Sequence, residues 1–145
     1  MATTPTVSSG TTIAVCAALP ATMNAAGFAA LAFTQIRGVR AIPDIGEQYQ
    51  TQESNAISQV RPGNRKVGLA AMSLPLELIR IADAGQAMLR TAVDASASYS
   101  YRLKQMDGLT MYFTAGATNR THGGFSFGIA DTKITLEVDS RIIEV

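Results

Sequence analysis

Between Tyr99 and Thr114 the chain alternates, turns and alternates again. Tyr99, Tyr101 and Leu103 are interleaved with Ser100, Arg102 and Lys104; Asp107-Gly108 follows, and Leu109 to Thr114 resumes the pattern. Alternation places successive side chains on opposite faces of a strand, and Asp-Gly supplies the positive backbone torsions of a tight turn. The segment predicts a β-hairpin. With a two-residue loop, Met106 faces Leu109 and Leu103 faces Tyr112. One face then carries Tyr101, Leu103 and Tyr112. The other carries Met106, Leu109, Met111 and Phe113 beside Arg102 and Lys104. A sheet with one face in water would alternate more cleanly. Both faces are therefore expected to meet protein, from this chain or a neighbour. Met106, Leu109, Met111 and Phe113 are the candidates for a hairpin interface.

The last run alternates more strictly. Ile134, Leu136, Val138 and Ile142 point one way, and Lys133, Thr135, Glu137, Asp139 and Arg141 the other. This predicts a central strand with one polar face. Asp83 is a good N-cap, and Ala84 to Val93 has helical spacing, with Ala84, Met88, Leu89, Ala92 and Val93 on one side. Such an amphipathic helix should pack on a sheet. Thr11 to Cys16, Phe33 to Val39 and, more weakly, Gln48 to Gln52 read as strands, with Pro43 ending the second. Asn24 is a plausible N-cap for one or two helical turns running to Leu31. Val67 to Ile79 reads as a strand that Pro75 demotes to an edge or a bulge. Thr118 to Gly124 reads as a turn region. Met1 to Gly10, rich in Thr, Ser and Pro, reads as a flexible arm. Asn55 to Lys66, polar and holding Pro62, Gly63 and Asn64, reads as a long exposed loop. Residues 11–145 are expected to form one β-rich α+β domain without internal repeats.

Charge sets the next limits. Twelve basic residues stand against eleven acidic ones, for a net charge of +1. That balance gives no footprint for tight nucleic-acid binding and little repulsion between copies. No charge occurs from Met1 to Ile36, so the basic start of a secretory signal is missing. Pro20, Thr22, Asn24 and Gly27 interrupt the apolar run that a membrane helix needs. The expectation is a soluble protein made in the cytoplasm. Cys16, the only cysteine, cannot form a disulfide within the chain and reads as a small buried hydrophobe.

The chemistry-bearing residues do not assemble into a set. His122 is the only histidine and has no partner at ligand spacing. Neither a phosphate-binding Gly-Lys-Ser/Thr loop nor a Gly-x-Ser-x-Gly elbow occurs. Glu137 and Asp139 lie two residues apart on one strand face, which reads as a solvated face rather than an acid–base pair. Asn119-Arg120-Thr121 matches a glycosylation sequon, read as chance without a signal sequence. Arg61, Arg65 and Lys66 form a small basic cluster with no interleaved aromatics, so it reads as solvated or as a contact for an acidic neighbour. No catalytic residue, metal or cofactor is called for. The chain reads as a self-assembling structural protein rather than an enzyme.

Several short segments resemble the tail tube (major tail) proteins of long-tailed bacteriophages. They are Pro20-Ala21-Thr22-Met23-Asn24-Ala25-Ala26-Gly27-Phe28 with Phe33-Thr34 and Gly38-Val39, then Ile42-Pro43-Asp44-Ile45-Gly46. The first is spaced one residue wider than the family pattern. Gly85-Gln86-Ala87-Met88-Leu89-Arg90 is similar to the family's helix. The resemblance implies a β-sandwich or partial barrel with one packed amphipathic helix. Its sheets would join between subunits into a tube of stacked six-membered rings that conducts DNA to the host without binding it specifically. It also implies tape-measure and tail-terminator proteins as partners, and a place in the virion tail after synthesis in the bacterial cytoplasm. In that setting Arg61, Pro62, Gly63, Asn64, Arg65 and Lys66 are candidates for ring-to-ring contact. Glu137 and Asp139 are candidates for a lumen that repels phosphates. Alternatives are the inner tube of a contractile tail or type VI secretion system, a tail-terminator or head-tail joining ring, and a small ligand- or nucleic-acid-binding domain.

Overall fold

The computed structural model describes residues 10–54, 61, 63–125 and 128–145. In chain order it contains β1 (Thr12–Cys16), α1 (Ala25–Ala29), β2 (Thr34–Ile36), β3 (Val39–Ala41), β4 (Tyr49–Ser54) and β5 (Gly63–Leu69). Then come β6 (Met72–Ile79), α2 (Ala84–Asp94), β7 (Tyr99–Lys104), β8 (Thr110–Gly123), β9 (Asp131–Val138) and β10 (Ile143–Glu144). Eight strands form one antiparallel sheet in the order β2-β1-β7-β8-β9-β6-β3, with β10 beside β8; β4 and β5 pair only with each other.

That order forces closure. β2 and β3 stand at opposite ends of it, yet only Arg37 and Gly38 separate them in the chain. Laid flat, seven strands would hold them about 29 Å apart, whereas three Cα steps reach about 11 Å. The sheet must curl until its ends meet. Two stretches serve both halves of the curl. Residues 34–41 pair first with β1 and then with β6. β8 pairs with β7 up to Ala115 and with β9 from Ala115 onward, with a register shift between Ala117 and Asn119. Bends and bulges of this kind are how strands turn the corners of orthogonal sandwiches. The result is the expected β-sandwich closed into a partial barrel.

Alternation fills the interior. Leu74, Leu76 and Leu78 of β6 meet Ile134 and Leu136 of β9 from one half, and Ile13, Val15, Tyr101 and Phe113 from the other. Helix α2 packs Leu89 and Ala92 into the same core. Its N-terminus is capped as expected: Asp83 accepts a hydrogen bond from the Gln86 amide at 3.2 Å. The same oxygen accepts from the Arg37 amide at 3.1 Å. The buried helix face is not quite the one the spacing indicates. Ala84 is exposed, whereas Gly85 and Gln86 are buried. Asn24 caps α1, accepting from the Gly27 amide at 2.8 Å.

Several boundaries differ from the sequence reading. The Asp107-Gly108 hairpin has a three-residue loop, because the Gln105 amide donates to the Leu109 carbonyl at 2.9 Å. Gly108, at φ 96, takes the left-handed position that such loops reserve for glycine. Leu103 therefore faces Met111, not Tyr112, and Tyr101 faces Phe113. One extra loop residue moves the whole second strand to the other face. Thr118 to Gly123 is not a turn but the second half of β8. The expected strand from Phe33 to Val39 is bent into β2 and β3, and Val67 to Ile79 is interrupted after Leu69. Pro75 stays within β6, opposite Thr135. The Ile79 amide points to Gly38, away from β9, so the Pro75 nitrogen, four residues earlier, faces the same side, past the Ala41–Glu77 end of the β3 pairing, and costs no ladder bond to β9. The long loop expected over 55–66 ends early, since Gly63 to Lys66 belong to β5; residues 55–60 and Pro62 lie outside the described residues. So does the arm expected over residues 1–10, apart from Gly10.

Candidate assembly surfaces

Three surfaces carry the candidate residues. The first is the β4–β5 ribbon, which stands apart from the sheet. Neither strand packs extensively on another element, and a free two-stranded ribbon is at best marginally stable in water. Tyr49 sits opposite Leu69, and Val67 occupies a bulge between the partners of Gln50 and Thr51. All three apolar side chains are exposed. The basic cluster is less of a cluster than the sequence indicates. Arg65 pairs across from Gln52 and Lys66 from Thr51, so their side chains leave opposite faces of the ribbon. The Lys66 ammonium lies 4.7 Å from the Tyr49 ring centroid, a cation–π contact within the ribbon. Arg61, Asn64 and Arg65 are exposed and Gly63 half-buried; Pro62 lies outside the described residues.

The second surface is the polar face of β9. Lys133 and Glu137 are exposed on the face opposite the buried Thr132, Ile134 and Leu136, as the alternation requires. Glu137 accepts from the Ser73 hydroxyl at 2.5 Å, and Lys133 lies 3.5 Å from Glu77. Asp139, just past the strand, plays a different part. Its carboxylate accepts from the Thr114 hydroxyl at 2.5 Å and from the Ser98 hydroxyl, while its amide donates to the Thr114 carbonyl at 3.1 Å. Asp139 is thus a clasp joining β9 to β8 and the segment before β7. The two carboxylates are not equivalent members of one charged face.

The third surface is the tip of the β7–β8 hairpin. Met106 is 66% exposed, and Leu109 and Met111 are half-buried, with Met111 packed against the core. Phe113 is 0% exposed and stacks on Tyr101 at 5.5 Å between centroids. An interface role for Phe113 is therefore corrected: the register places it in the core. The opposite face of the hairpin is covered by the chain itself. Phe28 stacks on Tyr112 at 5.4 Å, Phe33 lies 6.1 Å from the same ring, and the Arg102 guanidinium sits 5.1 Å from Phe33. The two-sided apolarity of the hairpin is satisfied there by residues of the chain's own N-terminal third.

Elsewhere, no group of three or more His, Cys, Asp or Glu able to hold a metal occurs among the described residues. His122 lies on β8, its Nδ1 3.0 Å from the Thr132 hydroxyl. Cys16 is buried. No described helix is long and apolar enough to cross a membrane. Sequence reasoning missed two residues that organise these surfaces, Gln86 and Glu47. Gln86 had a usable signal, since it stands three residues after the Asp83 cap, where a capping-box side chain belongs. Glu47 had none.

No protein-family model matches the chain, and no curated protein does. Solved structures do. A chain in the cryo-EM structure of an extracellular contractile injection system, the PVC sheath/tube terminator in its extended state, aligns with a TM-score of 0.70 at 14% identity. The alignment covers 98% of this chain and 97% of that one. A chain of the anti-feeding prophage tube-terminating cap aligns at 0.67 and 14% identity, over 100% of this chain and 93% of that one. A chain from the tail of an empty gene transfer agent particle, refined with C6 symmetry, aligns at 0.63 and 13% identity, over 76% and 84%. The chain therefore has the fold of components of contractile injection systems and phage-like tails.

Proposed function

We propose that this protein is a structural subunit of a phage-tail-like tube. Copies close into six-membered rings through their sheets, rings stack, and DNA passes through the bore without specific binding. The observation that carries the reading is the fold likeness to the contractile-injection chain, which spans 98% of this chain and 97% of the other. A likeness without large insertions on either side suits an equivalent building block better than a domain borrowed for another use. The sixfold symmetry applied to the gene transfer agent tail and to the anti-feeding prophage baseplate supports rings of six. The unpartnered β4–β5 ribbon supports stacking, because packing against a neighbouring ring would cover its exposed Tyr49, Val67 and Leu69. The net charge of +1 favours close approach of copies and offers little to hold DNA.

A second reading is favoured by one observation: two of the similar structures are a terminator and a terminating cap. In that reading the subunit forms one ring and stops. Size-exclusion chromatography with negative-stain microscopy separates the two. Tubes of stacked rings are expected. Single rings that never stack would favour the terminator, and a monomer persisting at high concentration would sink both.

A further inference from the structure

The ribbon leaves the barrel through a narrow neck, and one carboxylate fixes how it leaves. Gly46 to Gln48 lead out to the ribbon, Ala70 and Ala71 return from it, and the Ala70 amide donates to the Gln48 carbonyl at 2.6 Å. Beyond the neck the two strands pair only with each other, and among the described residues neither packs extensively on another element. Between the neck and the β9–β10 corner lies an open cavity of about 420 Å³, lined by residues of both, including Glu47, Ala71, Asp139 and Ile142. Glu47 spans it. One of its oxygens, Oε1, accepts from the Ile142 amide at 3.0 Å and lies 3.3 Å from Arg141 Nε. The Glu47 side chain is 21% exposed and that of Arg141 71%. The amide bond therefore carries more of the hold than the ion pair, which water screens.

Ile142 immediately precedes the last strand. Its side chain is buried, and Ile143 and Glu144 then pair with Tyr112 and Met111 at the edge of β8. The Val145 amide donates to the Thr110 carbonyl at 2.8 Å. Two residues of ladder make a weak strand, so the anchor at Ile142 matters to its seating.

We infer that Glu47 is a hinge pin: it sets the angle at which the ribbon projects and ties that angle to the seating of β10. A second copy of this chain that deflects the ribbon on docking would then loosen or tighten β10 of the subunit it docks to. The hinge stands on the geometry above; its use in stacking rests on the function proposed for the ribbon.

The test uses the full chain, kept dilute enough to remain unassembled. In Glu47→Ala, exchange of the Ile142 and Val145 amides is expected to quicken by about tenfold or more, the usual cost of losing a hydrogen bond to a charged group. Distances between spin labels at Gln52 and Lys133 should broaden at the same time. Glu47→Gln keeps an acceptor but loses the charge, and about a threefold increase is expected. That variant decides the matter if the alanine variant does not fold. Unchanged exchange at both amides, or a ribbon distance as narrow as in the wild type, would overturn the inference. These readouts need no assembly. Failure of the wild type to form rings or tubes would count against the proposed function and leave the hinge standing.

Discussion

Tyr101 shows what a residue at the centre of this fold tolerates. It is fully buried, stacked on Phe113, and its hydroxyl has no hydrogen-bond partner among the described residues. A buried hydroxyl without a partner costs about 1–3 kcal/mol, while the ring contributes packing that phenylalanine would keep. Tyr101→Phe should therefore be neutral or stabilising by about 1 kcal/mol, measured by denaturant melts. Burial, helped by the neighbouring Tyr99, also pushes the Tyr101 hydroxyl well above its ordinary value of 10.0. The sign follows from linkage. A group whose folded value is raised contributes its full stability below the unfolded value and loses it as pH climbs past that value. Between about pH 9 and pH 11 the wild type should lose more stability than Tyr101→Phe. Parallel losses in the two proteins would reject this.

Among the elements, the hairpin shows plainly in the sequence and most of the ribbon does not. The hairpin was legible because alternation and Asp-Gly are local signals. Its register was not, because a two- and a three-residue loop both accommodate Asp-Gly, and only the Gln105–Leu109 bond separates them. The first half of β5 was hidden because Gly63, Asn64 and Lys66 have poor strand propensity; cross-strand pairing with β4 overrides it. The C-terminal half of β8 was hidden likewise by Asn119 and Gly123, which strands disfavour. For the ribbon, reversing the charges of Arg61, Arg65 and Lys66 is expected to cut stacking while leaving rings and far-UV circular dichroism intact. The Lys66 change also removes the contact with Tyr49, worth about 0.5–1 kcal/mol locally. Tubes of wild-type length from the triple variant would show that these charges play no part.

The whole molecule depends on a seam. The barrel closes where residues 34–41 change partners, at Gly38, whose φ of 76 suits glycine far better than any other residue. Gln86 holds that corner. Only 1% exposed, it donates from Nε2 to the Arg37 carbonyl at 2.7 Å and to the Ile79 carbonyl at 2.9 Å, and accepts from the Ile81 amide at 3.3 Å. One side chain thus ties α2 to both ends of the curled sheet. Gln86→Leu fills similar space but leaves those backbone groups unpaired, and should destabilise by about 2–4 kcal/mol. The loss should appear as a lower midpoint of one cooperative transition. A shift under about 0.5 kcal/mol, the scale of ordinary surface changes, would mean the seam is held elsewhere.

By itself the sequence determined the periodic parts: the alternating strand from Lys133 to Val138, the capped helix after Asp83 and the existence of the hairpin. Those follow from neighbours one to four positions apart, which a linear reading can see. Tertiary structure decided the rest. It chose the face on which Phe113 lies, made strands of the polar stretches at Gly63 and Thr118, and turned Asp139 into a clasp. It also gave Glu47 and Gln86 their work. For four of these residues the partner is distant in the chain: 17 residues away for Thr118, up to 41 for Asp139, up to 49 for Gln86 and 95 for Glu47. No local pattern encodes such a partner, because only closing the barrel brings the two together.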